Sequence, residues 1–352
     1  MRNLIGFVVI LCMAATVSAQ ETTDDPKNSV TVETVVEGLT NPCGVAVQPG
    51  TGHVFVADSG ALRVVRIVED KIEPVITGFP QKDEEGSETR NDLGPLGLSF
   101  IDQNSLVVGE GGQPAGEDML RVFKVPAAGA DPITADEMEG DAQRLVAEPD
   151  ADLVGEGNFY GVSVIGTSVF VTCYGDKAKG WLGKADVVDG KLTNFNRSIA
   201  TAEKTGVAGP FAVTRSPEGY IVVSQTGEIG DATDSLLTFY DESEEELADW
   251  KYETGLKDIT GLAYGPKRGR LFAIDFSRNS TSKGSLYKLV ADTTTTCKAV
   301  KLTDLDGPTA MAFDPQGNLY VTVMGTKTEG QDGPNGKLLV IKGLDDKPSK
   351  EK

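Results

Sequence analysis

A motif that returns every fifty residues or so, six times over, restricts the possible folds of this chain more than any other feature. Each copy has a turn, a small residue opening a short apolar strand, a tight turn and a second apolar strand. The copies read NPCGVAVQPGTGHVFVAD, GPLGLSFIDQNSLVVGE, NFYGVSVIGTSVFVTC, GPFAVTRSPEGYIVVSQ, ITGLAYGPKRGRLFAID and GPTAMAFDPQGNLYVTV. The opening small residues are Gly44, Gly97, Gly161, Ala212, Gly261 and Ala310, spaced by 53, 64, 51, 49 and 49 residues. Third strands follow (LRVVRIV, MLRVFKV, GKADVV, LLTFYD, SLYKLV, KLLVIKG), then more polar fourth strands such as KIEPVITGF and LADWKYETGL. The second strands are apolar at consecutive positions, as strands covered on both faces must be. Helical periodicity is scant, so βαβ units are excluded. The pattern predicts an all-β, six-bladed β-propeller with four-stranded antiparallel blades over residues 30–344. The sixth copy lacks a fourth strand, and VTVETVVEGL at residues 30–39 is expected to close the ring by pairing into that blade.

The ends of the chain read differently. Arg2, the apolar run from Leu4 to Val17 and the small residues of Val17-Ser18-Ala19 make residues 1–19 a cleavable signal peptide, which implies a secreted or periplasmic protein. Residues 20–29 read as a flexible tail and residues 345–352 as a charged one. The net charge is −20, a field that repels phosphate backbones and anionic lipid, so nucleic-acid binding and membrane insertion are not expected. The expected partner is a small-molecule or protein ligand, taken up by a monomer. Cys43, Cys173 and Cys297 remain after signal removal, too few for a disulfide framework, and buried inert thiols are expected.

PCGVAV…GHVFVADSGALRVVRI and DGPTAMAFDPQGNLYVT resemble NHL-type repeats, from the superfamily of six-bladed propellers that also holds regucalcin/gluconolactonase-like and paraoxonase-like enzymes. The resemblance spans nearly the whole mature chain and implies fold far more than function, since such propellers host lyases, lactonases, dehydrogenases and binding modules.

Blade geometry picks out the working face. The starts of first strands and the ends of second strands surround one mouth, and the loops after the second strands are the long, varied ones. The second-strand ends are Asp58, Glu110, Cys173, Gln225, Asp275 and Val323; the first-strand starts are Cys43, Leu96, Tyr160, Phe211, Thr260 and Thr309. Two readings of the polar ring stand. Asp58, Glu110, Gln225 and Asp275 either hold a metal, calcium by the hardness of their oxygens, or end their strands by binding backbone amides. Likewise Tyr160, Phe211 and Leu96, with Cys43, Cys173, Thr260 and Thr309, either line a ligand pocket or plug the channel.

His53 is the sole histidine, expected on a turn at the opposite face. His-dependent triads are therefore excluded, as are the histidine-assisted lactonases, streptogramin lyases and quinoprotein dehydrogenases among the resembling folds. What the resemblance leaves is metal-activated hydrolysis of a lactone, yet the family's ligands at first-strand starts have no counterparts here. The primary expectation is non-catalytic ligand binding, and the alternative a calcium-dependent hydrolase or lactonase. Asn196-Arg197-Ser198 and Asn279-Ser280-Thr281 fit glycosylation sequons.

Overall fold

The computed structural model describes residues 30–81, 93–228, 232–241, 246–277, 283–326 and 334–344. The segments read from the sequence as a signal peptide and as two tails, and the Asn279-Ser280-Thr281 sequon, lie outside the described residues. Six sheets radiate from a common axis. The first blade holds β2 (Pro42–Val47), β3 (Val54–Asp58), β4 (Arg63–Val68) and β5 (Lys71–Thr77). The third holds β10 (Val162–Ile165), β11 (Ser168–Thr172), β12 (Trp181–Val188) and β13 (Lys191–Ala200). The fourth has β14 (Pro210–Arg215), β15 (Ile221–Gln225), β16 (Leu236–Tyr240) and β17 (Glu246–Glu253), and the fifth β18 (Ile259–Tyr264), β19 (Leu271–Asp275), β20 (Gly284–Ala291) and β21 (Cys297–Leu305). In the sixth, β22 (Pro308–Phe313), β23 (Leu319–Val323) and β24 (Gly336–Lys342) are joined by β1 (Thr31–Leu39), which runs antiparallel to β24.

The second blade departs from the expected four strands. Only β6 (Pro95–Phe100), β7 (Ser105–Glu110) and β8 (Leu120–Lys124) form its sheet. The chain then leaves the blade, and Ile133–Thr134 (β9) pairs in parallel with β5 of the first blade. This excursion accounts for the long 64-residue spacing between Gly97 and Gly161.

Stacked blades need apolar residues on both faces of their middle strands. β3, β15 and β19 are buried at all five positions and β7 at all six. Among the described residues, six apolar clusters form, one at each seam between neighbouring blades. Phe55 and Phe123 anchor the first seam, for instance, and Ile165, Phe170, Val213 and Tyr240 the seam between blades three and four. The small residue opening each copy has a steric cause. At the crowded axis a side chain on Gly44 would run into the Leu96 carbonyl, and a Cβ on Gly161 would lie 2.6 Å from the Phe211 oxygen. Among the described residues no helix is long and apolar enough to cross a membrane.

Candidate functional site

Strand register joins the two rings of residues at one mouth. Pro42 pairs with Asp58, Pro95 with Glu110, Pro210 with Gln225, Ile259 with Asp275 and Pro308 with Val323. Directly after each of these pairs the register shifts by a bulge, which releases the next residue of the first strand from the ladder. Those residues are Cys43, Leu96, Phe211, Thr260 and Thr309. In the third blade Tyr160 precedes β10 and Cys173 follows β11, at the same end. His53 sits on the turn between β2 and β3, at the far end of the blade.

The polar second-strand ends mostly close their own blades. Asp275 accepts from the amides of Lys257 (3.1 Å), Asp258 (3.0 Å) and Ser277 (2.9 Å), and from the Ser277 hydroxyl (3.3 Å). Asp58 accepts from the Thr40 amide at 2.6 Å and pairs with Arg63 at 2.8 Å. Burial pushes Asp58 above the usual carboxylate range, opposed by Thr40 and Arg63. Glu110 pairs with Arg121 at 2.7 Å, and burial raises it to about 7 against the pull of that guanidinium. Gln225 donates to Thr205 Oγ1 at 2.9 Å and to the Val207 carbonyl, leaving its buried Oε1 without a protein partner. Calcium takes six to eight oxygens. Here only the Gln225 oxygen is uncommitted, and among the described residues no group of three or more His, Cys, Asp or Glu side chains is placed to hold a metal. The four residues do not fit calcium, because the amides and arginines of their own blades occupy the oxygens an ion would need.

Cys43 and Cys173 at the mouth, and Cys297 at the opposite end of the fifth blade, are free, and burial pushes Cys43 up to about 12, Cys297 up to about 11 and Cys173 well above its ordinary value, which disfavours the reactive thiolate. Leu96 is wholly buried, while Thr260 and Thr309 turn their hydroxyls to the Pro308 and Pro42 carbonyls, at 2.9 and 2.6 Å. Tyr160 and Phe211, both half-buried, do come together: their rings stack with centroids 4.5 Å apart and planes at 23°.

On that side of the mouth, between blades three and four, lies a cleft of about 340 Å³, within the roughly 300–1,000 Å³ of small-molecule sites. Cys173, Tyr174, Gly175, Asp176 and Lys177 form one wall, Gly209 and Pro210 the opposite one, with Thr226 and Glu228 beside it. Behind the first wall stands Glu156, fully buried, between β8 and β10. Its Oε1 accepts from the Asp176 amide at 3.1 Å, and its Oε2 has no hydrogen-bond partner. Burial raises Glu156 to about 7. Cys173, Gly209 and Pro210 belong to the repeat, whereas Tyr174 to Lys177, Thr226, Glu228 and Glu156 lie outside it, so aligning the copies does not find these. Their signal was the length of the loops CYGDKAKGWLG and SQTGEIGDATD, and, for Glu156, the oversized interval before Gly161.

The chain is a six-bladed propeller of the architecture seen in sugar dehydrogenases and gluconolactonases. Its sequence matches no protein-family profile and no curated protein. Among solved structures it is similar to a glucose dehydrogenase, at 17% identity over 88% of this chain and 98% of the other, with a TM-score of 0.58. A gluconolactonase from Xanthomonas campestris aligns at 13% identity over 89% of each chain, TM-score 0.55. The PQQ-bound aldose sugar dehydrogenase of Streptomyces coelicolor aligns at 11% identity over 90% of this chain and 100% of the other, TM-score 0.54. At such identities the likeness is one of fold.

Proposed function

We propose that the loop-bearing mouth is an enzyme site for a compact, uncharged ring compound of the sugar-lactone class, worked in the cleft between the third and fourth blades. The observation that carries this reading is a cleft of small-molecule size on the loop-bearing side of the mouth, lined by Tyr174, Asp176, Thr226 and Glu228. The Tyr174 ring suits the C–H face of a sugar ring, and the hydroxyl and carboxylates of Thr226, Asp176 and Glu228 suit its hydroxyls. The names of the similar structures support a sugar or its lactone as the class of substrate.

Of the two chemistries those names carry, hydrolysis suits these residues better. A quinone bearing three carboxylates, such as PQQ, asks for cations, and the cleft sets one lysine, Lys177, against Asp176 and Glu228. The residues do not fit that cofactor. In lactone hydrolysis water adds to the acyl carbon, the ring C–O bond breaks, and the freed alkoxide takes a proton to give the hydroxy acid. Asp176 and Glu228 are the carboxylates lining the cleft that can exchange that proton.

A panel of sugar lactones, followed by acid release, tests the reading beside the matching aldoses with a redox dye. Hydrolysis above the uncatalysed rate is expected, with KM raised about tenfold in Tyr174→Ala, whose ring is exposed enough to remove without unfolding. Dye reduction on aldoses would overturn it in favour of oxidation. Saturable lactone binding without turnover would return the protein to non-catalytic ligand binding.

A further inference from the structure

The chain that leaves the second blade after β8 is held along its whole course. Residues 126–157 form a strap across the first three blades, and one arginine of each blade grips its main chain. Arg66 on β4 donates to the Pro126 and Ala127 carbonyls, both at 2.9 Å. Arg121 on β8 donates to the Ala135 carbonyl at 2.7 Å. Arg197 on β13 donates to the carbonyls of Val146 (2.7 Å) and Val154 (2.6 Å). These side chains are only 3, 5 and 6% exposed, and each also pairs with a carboxylate, Glu73, Glu110 or Glu148. A planar fork of donors can serve two carbonyls and a carboxylate at once.

The third grip serves the part of the strap that reaches the cleft. Val146 and Val154 stand on the two arms of a hairpin that Glu148 and Leu153 close with reciprocal amide–carbonyl bonds of 2.8 and 3.1 Å. At its base the Glu156 amide donates to the Leu145 carbonyl at 2.9 Å. Residues 155–157, just beyond, back the cleft wall. The Tyr174 amide donates to the Gly157 carbonyl at 2.9 Å, and the Asp176 amide to Glu156 Oε1 at 3.1 Å. Gly175 is packed so tightly on this strip that a Cβ there would lie 2.2 Å from the Gly155 oxygen. The far half of the loop is tied elsewhere, since the Lys179 and Gly180 carbonyls accept from the amides of Ala202 and Thr201. The strip itself has two attachments. The Gly116 amide pins the Glu156 carbonyl to the second blade, and the hairpin continues it outward to Arg197 on the third. With one edge pinned, the grip on the hairpin sets the tilt of the strip.

We propose that Arg197 is a positioning residue of the cleft: through the hairpin of residues 146–154 it sets the strip on which Tyr174 and Asp176 are mounted, and so fixes their reach toward a bound ring. The placement of the wall holds whatever the cleft binds; its effect on turnover rests on the lactone reading above.

Hydrogen exchange of the full chain without ligand, read residue by residue, tests the placement. In Arg197→Ala the Tyr174 and Asp176 amides are expected to exchange about tenfold faster, while those of Thr201 and Ala202 keep the protection of the parent. Arg197→Lys, with a single ammonium in place of the fork, should fall between, and it carries the test if the alanine variant does not fold. Glu148→Ala removes only an exposed carboxylate partner and should leave exchange unchanged. Turnover of the lactone that the parent hydrolyses best is the second readout, with KM expected to rise about fivefold in Arg197→Ala. Unchanged exchange at Tyr174 and Asp176, or an equal rise throughout the six blades, overturns the proposal. So does a fall in Vmax at constant KM, the mark of lost folded enzyme. A parent without lactone turnover removes the lactone reading instead, and exchange then decides the role of Arg197 by itself.

Discussion

The fifth and third blades treat a buried carboxylate in opposite ways. Asp275 closes the second strand of its blade with four donors, three of them backbone amides, and ties down the segment that leads into the first strand. Glu156 stands behind the third blade's loop, where its Oε1 accepts from the Asp176 amide and its Oε2 has no well-aligned partner, with the Gly175 amide and Arg197 close by. The first arrangement locks a turn with four hydrogen bonds; in the second, burial favours the neutral acid. The cleft lies on the second side. Buried carboxylates mark a site here only where their hydrogen bonding is incomplete, so abundance of acid at the mouth is by itself uninformative.

The sharpest way to break this contrast is to remove the sealed carboxylate. Asp275→Ala strands buried amides and is expected to cost about 3 kcal/mol or more, read as a lower urea midpoint with unchanged slope. A loss below about 1 kcal/mol would mean that the cap is decorative. Glu110→Gln comes next, at about 2–3 kcal/mol, because it leaves Arg121 charged and buried. It would sharpen the comparison, since Glu110 and Glu156 are both raised to about 7, but Glu110 pairs directly with Arg121 while Arg197 acts on Glu156 without an ion pair.

Glu156→Gln should act in the other direction. The folded state lifts this carboxyl from 4.5 to about 7, so the native protein holds the proton longer than the unfolded chain does. Its contribution is therefore full below about pH 4.5, declines up to about pH 7 and stays low above. The glutamine variant should match the parent at pH 5 and exceed it by about 1–2 kcal/mol at pH 8, after discounting for solvent screening. Urea melts at the two pH values check it, and equal stability at both would erase the distinction between the two blades. The smallest effect is expected from Thr309→Val, about 1 kcal/mol in the same assay, for one hydroxyl bond across a seam.

What could be read in the sequence follows from the same physics. The blades were legible because every copy must meet the same steric demand at the axis and the same two-sided burial, which Gly44, Gly161 and the apolar second strands record directly. The mouth was legible as a place, since register forces Pro42 beside Asp58 and Ile259 beside Asp275. Its chemistry was not. Whether an acid at a strand end meets amides or a cation depends on where the flanking loop folds back, and no periodicity encodes that. The second blade's irregular outer edge was hidden for a related reason: its residues leave the repeat, pair first with β5 of the first blade, and return to β8 only at Glu139 and Gln143.

The hydroxyl bonds across the seams have a direction. Thr172 donates to the Phe211 carbonyl, Ser224 to Ile259, Thr260 to Pro308 and Thr309 to Pro42, each time from one blade to the following one around the ring. This partial girdle has a handedness: four of the six sectors greet their successors by one common handshake. A sector duplicated whole would bring both halves of that handshake with it. The bore of the tunnel is then fixed by how many sectors are strung together, and the loops above it can diverge freely without loosening the hoop beneath.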